Sequence, residues 1–173
     1  NPSIQEEHKK RSEMDQTRVK KSGSKGKINI VLEEDQNDGD IHLSDILNPD
    51  ILKKAVDNIM NNLKINEQHI RELHEYTQIL PEKYYQPGSH LLNRQVAFAL
   101  KHTDERLFLS WIMLRSKAAD FDYSTIPKLY QDWKIHFHKR PHGVTKRSIM
   151  YWAKQDAFQE YEKVKRSTIN HYI

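Results

Sequence analysis

The chain has 173 residues, a net charge of +4 and no cysteine. The lack of cysteine excludes a disulfide framework, a thiolate nucleophile and a cysteine-based zinc site. No apolar run approaches the roughly 20 residues that a membrane-spanning helix requires. Because the N-terminal residues are charged where a secretory signal has its apolar stretch, we expect an intracellular protein with no signal peptide and no membrane contact.

The first 47 residues lack a helical apolar period and contain the small flexible cluster Ser22–Gly26. We therefore interpret residues 1–47 as a flexible, charged linker. The short apolar run Ile28–Leu32 is interpreted as part of this linker, with docking onto a neighbouring domain as the alternative. The chain also carries its densest carboxylates here, at residues 33–45, and we expect a solvated segment rather than a metal site.

From residue 48 onward, apolar residues recur at helical spacing and no alternating strand pattern competes with them. The predicted architecture of residues 48–173 is therefore all-α, a small, irregular bundle of about six or seven helices. The predicted helix starts follow Asn48, Asn66, Ser89, Thr103, Ser124 or Thr125, and Thr145. A seventh helix, which bears Phe158 and Tyr161, either continues the sixth or packs back on it.

The sequence contains no complete catalytic motif. The five glycines form no phosphate-binding loop, so nucleotide hydrolysis by that route is excluded. His136, His138 and His142 suggest a zinc-dependent enzyme, but their spacing is poor and Lys139 and Arg140 would repel a cation. We expect no catalytic residue, no metal and no cofactor in this chain, and keep the zinc enzyme as a third hypothesis.

The three tryptophans lie on the apolar stripes of their predicted helices. We predict that Trp111, Trp133 and Trp152 belong to the structural core rather than stacking on bases. The better candidates for exposed stacking are Tyr84, Tyr85 and Tyr151.

Basic residues are concentrated between positions 134 and 166. The members of this block are Lys134, Lys139, Arg140, Lys146, Arg147, Lys154, Lys163, Lys165 and Arg166. Clustered positive charge attracts the phosphate backbone of nucleic acids and releases its counterions. The alternative is a solvated face that meets acidic segments of the same polypeptide.

One stretch of the sequence, residues 92–161, has a recognisable pattern. Its most specific part is the threonine-capped segment Thr145–Asp156, which contains Tyr-Trp-Ala-Lys and is followed by Tyr161. The earlier features are Val96–Leu100, Phe108–Trp111, Ser116, Phe121–Tyr123 and Leu129–Trp133. This stretch resembles the primase C-terminal helical domain of viral and plasmid primase–helicase proteins.

The resemblance implies a fragment of a larger polypeptide. In that family the domain lies between an archaeo-eukaryotic-type primase and a superfamily 3 helicase of the kind found in poxviruses and other large DNA viruses. The expected role is then that of a non-catalytic accessory domain in DNA replication, in the cytoplasm or a viral replication compartment. Expected partners are single-stranded or primer-template DNA, the adjacent primase and helicase domains, and further copies of the chain through the helicase.

Five residues of the basic block are our candidates for contact with DNA phosphates. They are Lys139, Arg140, Lys146, Arg147 and Lys154. The alternative function is a protein-interaction or oligomerisation domain of a replication protein that makes no direct DNA contact.

Overall fold

Seven α-helices form the regular structure of the part of the chain that the computed structural model describes, residues 41–137 and 143–172, with side chains up to residue 170. The helices are α1 (Pro49–Asn61), α2 (Gln68–Gln78), α3 (His90–Lys101), α4 (Phe108–Arg115), α5 (Ile126–His136), α6 (Lys146–Asp156) and α7 (Phe158–Tyr172). Short 3-10 turns precede several of them, and these two ranges contain no strand. The predicted all-α architecture is confirmed.

Two helices begin where local sequence signals place them. The Asn48 side chain accepts a hydrogen bond of 2.9 Å from the backbone N–H of Ile51, and Pro49 occupies the first position of α1. Likewise the Thr145 hydroxyl accepts a hydrogen bond of 3.1 Å from the N–H of Arg147 at the start of α6. These bonds satisfy N–H groups that have no partner within the helix.

The predicted cap at Thr103 is wrong. The Thr103 hydroxyl instead donates a hydrogen bond of 3.0 Å back to the carbonyl of Ala99, in the last turn of α3. The Asp104 carboxylate accepts from the N–H of Arg106 at 2.8 Å and so begins a 3-10 turn, Glu105–Leu107. Helix α4 therefore starts only at Phe108, because this turn intervenes.

Aromatic side chains from α4 and α5 form the centre of the core. The ring of Phe108 lies 4.9 Å from that of Tyr130 and 5.4 Å from that of Trp133, measured between centroids. Trp111 and Trp133 are stacked at 5.9 Å, and Phe137 meets the Trp111 ring edge-on at 5.4 Å. Large buried rings in offset and edge-on geometry contribute strongly to the stability of a small bundle.

The packed region begins before the first helix. Ile41, Leu43 and Ile46 are buried, and the 3-10 turn Leu43–Asp45 contacts α5. The segment from residue 41 therefore contributes to the core, although the sequence placed it in the linker. The rest of the predicted linker, residues 1–40, lies outside the described residues.

The seventh helix is separate from the sixth. The chain turns at Ala157, whose N–H still donates to the carbonyl of Ala153 while its own carbonyl accepts from the N–H of Tyr161. Helix α7 packs against α2 and α6, and the rings of Tyr76 and Tyr161 stack at 5.1 Å. Within the described ranges, no helix combines the length and the apolar character that crossing a membrane demands.

Candidate nucleic-acid interface

The outer face of α6 combines positive charge with an exposed aromatic ring. Arg147, Tyr151 and Lys154 are separated by four and three positions, so their side chains lie on one side of the helix. All three are exposed, and Tyr151 has 62% of its surface accessible to solvent. Lys146 lies exposed at the start of the same helix. This arrangement can pair phosphates with the cations and offer the ring to a base.

The opposite face of α6 fixes the helix to the bundle. Ile149 and Ala153 are fully buried, and the half-buried Trp152 packs its ring 5.8 Å from that of Tyr84. At the last residue of α6, Asp156 accepts a hydrogen bond of 2.5 Å from the Tyr84 hydroxyl. Because the inner face and the C-terminal end are held, the outer face has a fixed orientation on the domain.

Three of the five predicted phosphate contacts therefore lie together on α6, namely Lys146, Arg147 and Lys154. The other two, Lys139 and Arg140, lie outside the described residues. Lys163, Lys165 and Arg166 are exposed on α7, where Glu160 and Glu162 offset part of their charge. In the structure, the described part of the basic block therefore forms two surfaces. The outer face of α6 is positive and contains no carboxylate, whereas the exposed surface of α7 contains both positive and negative side chains.

Lys134, the first residue of the basic block, is directed toward the bundle. It is half-buried, with its ammonium group 5.2 Å from the centroid of the Tyr130 ring. Burial lowers the pKa of Lys134 to about 8, with the nearby Lys101 acting in the same direction and Glu105 opposing it. This residue consequently adds little to the positive outer surface.

The burial of the aromatic residues differs in part from the prediction, which placed three tryptophans in the core and three tyrosines on the surface. Trp111 and Trp133 are buried and donate their indole N–H groups, at 2.8 Å each, to Asn93 and Glu105 respectively. Trp152 is only half-buried, at the edge of the core. Among the tyrosines proposed for stacking, Tyr84 is buried and Tyr85 is half-buried.

Of those three tyrosines, only Tyr151 is exposed. The prediction for Tyr84 is wrong, because its ring packs on Trp152 and its hydroxyl binds Asp156.

Proteins of African swine fever virus, each named a putative primase, are similar to this chain. The one from a Kenyan pig isolate is 32% identical over 114 residues, which cover 64% of this chain and 11% of the viral protein. The one from the Vero-adapted Badajoz strain is 31% identical over 112 residues, which cover 62% and 11%. This chain contains a viral primase-related domain.

The primase-related domain corresponds to a small part of those proteins, since the chain spans about 11% of the length of the curated relatives it matches. No family model and no solved structure matches the chain. The resemblance found in the sequence is confirmed at the level of relationship to viral primases.

Two concave regions of the primase-related domain were missed by sequence reasoning. A groove of about 290 Å³ lies beside the start of α6 and is lined by His69, Ala99, His102, Thr103, Thr145 and Lys146. Its residues come from α2, from the end of α3 and from α6. Because positions so far apart in sequence form it, no local motif could have indicated the groove.

The second concavity, of about 330 Å³, lies near the start of α3. Tyr85 and Phe121 provide aromatic walls, and Arg115 lies among Asp120 and Asp122. Its lining contains two carboxylates and one arginine, so it is less suited to a polyanion than the groove beside α6.

The zinc hypothesis gains no support in the described part of the primase-related domain. His136 is exposed at the end of α5, 3.9 Å from Asp132, whereas His138 and His142 lie outside the described residues. Within residues 41–137 and 143–170, no three histidine or carboxylate side chains converge as a metal site.

Proposed function

We propose that this chain is a non-catalytic accessory domain of a replication protein, and that the outer face of α6 holds template DNA. The relationship to proteins named as viral primases supports a role in DNA replication. Since those relatives are far longer than the matched segment, the polymerase and ATPase sites of such a polypeptide would lie in other domains. The domain then acts by positioning DNA and by coupling the primase to the helicase.

The observation that carries this proposal is the alignment of Arg147, Tyr151 and Lys154 on one exposed face. Seven positions separate Arg147 from Lys154, which corresponds to about 10 Å along the helix axis. The two cations can therefore contact different phosphates of one strand, while the Tyr151 ring between them is placed to stack on a base. Such contacts depend little on base identity, as a protein that follows a moving template requires.

The test is a salt series of binding to single-stranded and primer-template DNA, with the double variant Arg147→Ala/Lys154→Ala compared with the unmodified chain. Each lost phosphate contact should reduce the slope of log affinity against log salt by about 0.7 for a single strand, so the pair should reduce it by about 1.4. The matched control is Lys53→Ala/Lys54→Ala, which removes two exposed lysines from α1. An unchanged slope in the α6 variant would show that this face does not contact DNA phosphates.

A second candidate, a protein-docking domain, is favoured by the two large apolar side chains exposed on α7. Phe158 and Ile169 have 53% and 52% of their surfaces accessible. This function predicts no DNA affinity, together with a molar mass by light scattering that rises with concentration or a measurable association with primase or helicase domains. Phe158→Ser/Ile169→Ser should abolish that association.

A further inference from the structure

The concavity near the start of α3, the α3 pocket, combines aromatic rings with a guanidinium group and carboxylates. Tyr85 and Phe121 form its aromatic walls, and the charged residues of its lining are Arg115, Asp120 and Asp122. Its volume of about 330 Å³ is within the range of pockets that hold small molecules. A planar group with both donors and acceptors at its edge would match such a lining.

Both aromatic walls are held by residues outside the α3 pocket. The Lys117 ammonium group lies 5.9 Å from the centroid of the Tyr85 ring. The rings of Phe121 and Tyr123 are nearly perpendicular, with centroids 5.0 Å apart. Neither Lys117 nor Tyr123 lines the pocket. Since Tyr85 and Phe121 are only half-buried, their rings are placed to stack on a base.

Arg115 is a half-buried cation whose charge is incompletely compensated. Its Nη1 lies 3.4 Å from Oδ1 of Asn93, an oxygen that already accepts from the Trp111 indole at 2.8 Å. Among the described residues, its Nε has no hydrogen-bond partner. Burial lowers the pKa of Arg115, and Asp120 acts against this effect. A ligand that brings acceptors to the Nη groups would therefore be favoured, because a buried cation is costly without them.

The two carboxylates disfavour a phosphate as the ligand of the α3 pocket. The N–H and the hydroxyl of Ser124 donate to Oδ1 of Asp122 at 2.9 and 2.7 Å, and these bonds lower the pKa of Asp122. Asp120 is exposed. Ionised carboxylates repel anions but accept hydrogen bonds from N–H groups. The ligand should consequently be uncharged where it meets the pocket and should carry N–H donors as well as acceptors.

Guanine is the nucleobase whose edges match both kinds of charged group. Its O6 and N7 are neighbouring acceptors that an arginine binds bidentately. Its N1–H and its exocyclic amino group are neighbouring donors, which suit the two oxygens of a carboxylate. Cytosine, adenine and thymine each lack at least one of these two pairs.

We propose that the α3 pocket binds a guanine base. Arg115 donates to O6 and N7, and Asp120 accepts from N1–H and the amino group. Tyr85 and Phe121 provide the stacking surface. The inference rests on the proposed function for the source of the base, which is then the template strand, while a free guanine nucleotide presents the same edges.

Tyr84 connects the α3 pocket to the outer face of α6. Its carbonyl accepts a hydrogen bond of 2.9 Å from Asn93, which lines the pocket, and its hydroxyl binds Asp156 at the end of α6. A strand that leaves the outer face of α6 at its C-terminal end can therefore reach the pocket. The contacts on α6 accept any base, so the pocket adds a preference for guanine to the domain.

The first experiment measures the preference of the full chain for guanine in single-stranded DNA. Fluorescence anisotropy compares an alternating thymine–guanine strand with thymine–hypoxanthine, thymine–cytosine and all-thymine strands of equal length. We expect about tenfold tighter binding of the guanine strand than of the all-thymine strand, since a bidentate pair discriminates against other bases to this extent. Hypoxanthine lacks the exocyclic amino group and should lose much of this preference. A cytosine strand that binds as tightly as the guanine strand would overturn the assignment.

Asp120→Asn tests the carboxylate at an exposed position, whereas Arg115 packs 5.6 Å from the Trp111 ring and is less suitable for substitution. The ratio of guanine to hypoxanthine affinity should fall to about one in this variant, because the amino group loses its acceptor. Asp50→Asn is the matched control, since it removes the same charge from an exposed position on α1. Its ratio should equal that of the unmodified chain. An unaltered ratio in Asp120→Asn would overturn the proposed contact.

A second measurement follows the NMR signals of the Arg115 Nε–H and the Phe121 ring during titration with deoxyguanosine monophosphate and, separately, with thymidine monophosphate. Larger shifts with the guanine nucleotide support the pocket and show that it also takes the free nucleotide. A guanine preference in DNA without such shifts supports the pocket and assigns the base to the strand.

The two measurements together separate the inference from the proposed function. If the chain binds all four strands equally and the guanine nucleotide shifts neither signal, the inference fails and the proposed function stands. If the chain binds no DNA but the guanine nucleotide shifts both signals, the proposed function fails and the pocket remains a guanine site. If neither DNA nor the nucleotide binds, both fail.

Discussion

The Tyr84 hydroxyl donates a hydrogen bond of 2.5 Å to Oδ2 of Asp156, and so joins the turn before α3 to the last residue of α6. The Lys83 ammonium group lies 3.1 Å from the same oxygen. Burial opposes ionisation of Asp156, but these two partners hold the pKa of its carboxyl below the usual range. The link therefore attaches the C-terminal end of α6 to the turn before α3.

We expect Tyr84→Phe to lower the free energy of unfolding by about 1 to 3 kcal/mol, because a buried donor to a carboxylate is lost while the ring packing remains. Urea denaturation at pH 7 measures the change. Tyr85→Phe alters the neighbouring, half-buried tyrosine and serves as the control, with an expected change below about 0.5 kcal/mol. Equal effects of the two substitutions would contradict the importance of the link.

A half-buried histidine should make stability depend on pH. His74 on α2 lies 2.8 Å from the Ser110 hydroxyl on α4, and burial is the main cause that lowers its pKa to about 4. The unfolded chain binds a proton at about pH 6.5, whereas the folded chain resists protonation until about pH 4. The stabilisation is therefore complete above pH 6.5 and is lost as the pH falls toward 4.

His74→Gln should flatten the pH dependence of the free energy of unfolding in this window, by at most about 3 kcal/mol between pH 7 and pH 4. Urea denaturation at half-unit pH intervals provides the comparison. His136→Gln is the control, because His136 is exposed at the end of α5. A slope that His74→Gln leaves unaltered would show that another group titrates.

The tryptophans should differ in their contribution to stability. Trp133 is fully buried, so Trp133→Ala should cost about 3 to 5 kcal/mol. Trp152→Ala should cost less than about 2 kcal/mol, because Trp152 is half-buried at the edge of the core. Thermal unfolding of both variants tests the order, and a greater loss at Trp152 would reverse our assignment of the core.

On the proposed interface, Tyr151→Ala should weaken single-stranded DNA binding by about 1 to 3 kcal/mol, the range for loss of one stacked base. Its effect on folding stability should stay within about 0.5 kcal/mol, since the ring is exposed. Tyr151→Phe keeps the aromatic face and should bind as the unmodified chain does. Fluorescence anisotropy of a labelled oligonucleotide gives all three affinities, and a weak Tyr151→Phe variant would point to the hydroxyl instead of stacking.

Local signals in the sequence were sufficient for the helices that begin with a strong cap. Asn48 with Pro49, and Thr145, fix their helix starts through neighbours two or three positions away, so those starts could be predicted. The predicted cap at Thr103 was wrong because the neighbouring Asp104 accepts the hydrogen bond from the N–H of Arg106. The Thr103 hydroxyl instead donates to the carbonyl of Ala99. Competition between adjacent polar residues is decided by packing, which a local pattern does not contain.

Long-range contacts explain the remaining differences. Tyr84 looked like a surface tyrosine because its partners, Trp152 and Asp156, lie about 70 residues further along the chain. Part of the candidate site could be predicted from the sequence, because the cap at Thr145 places Lys146, Arg147 and Lys154 on one helix. The groove could not, since His69 and His102 reach Lys146 only after α2, α3 and α6 have packed.

The single residue that separates α6 from α7 has a mechanical consequence. Ala157 keeps one hydrogen bond to each helix, so hardly any slack exists between them. Because α7 also packs against α2, the short junction and the packing together oppose a rotation of α7 relative to α6. The face that we propose for template DNA should therefore keep a constant angle to α7.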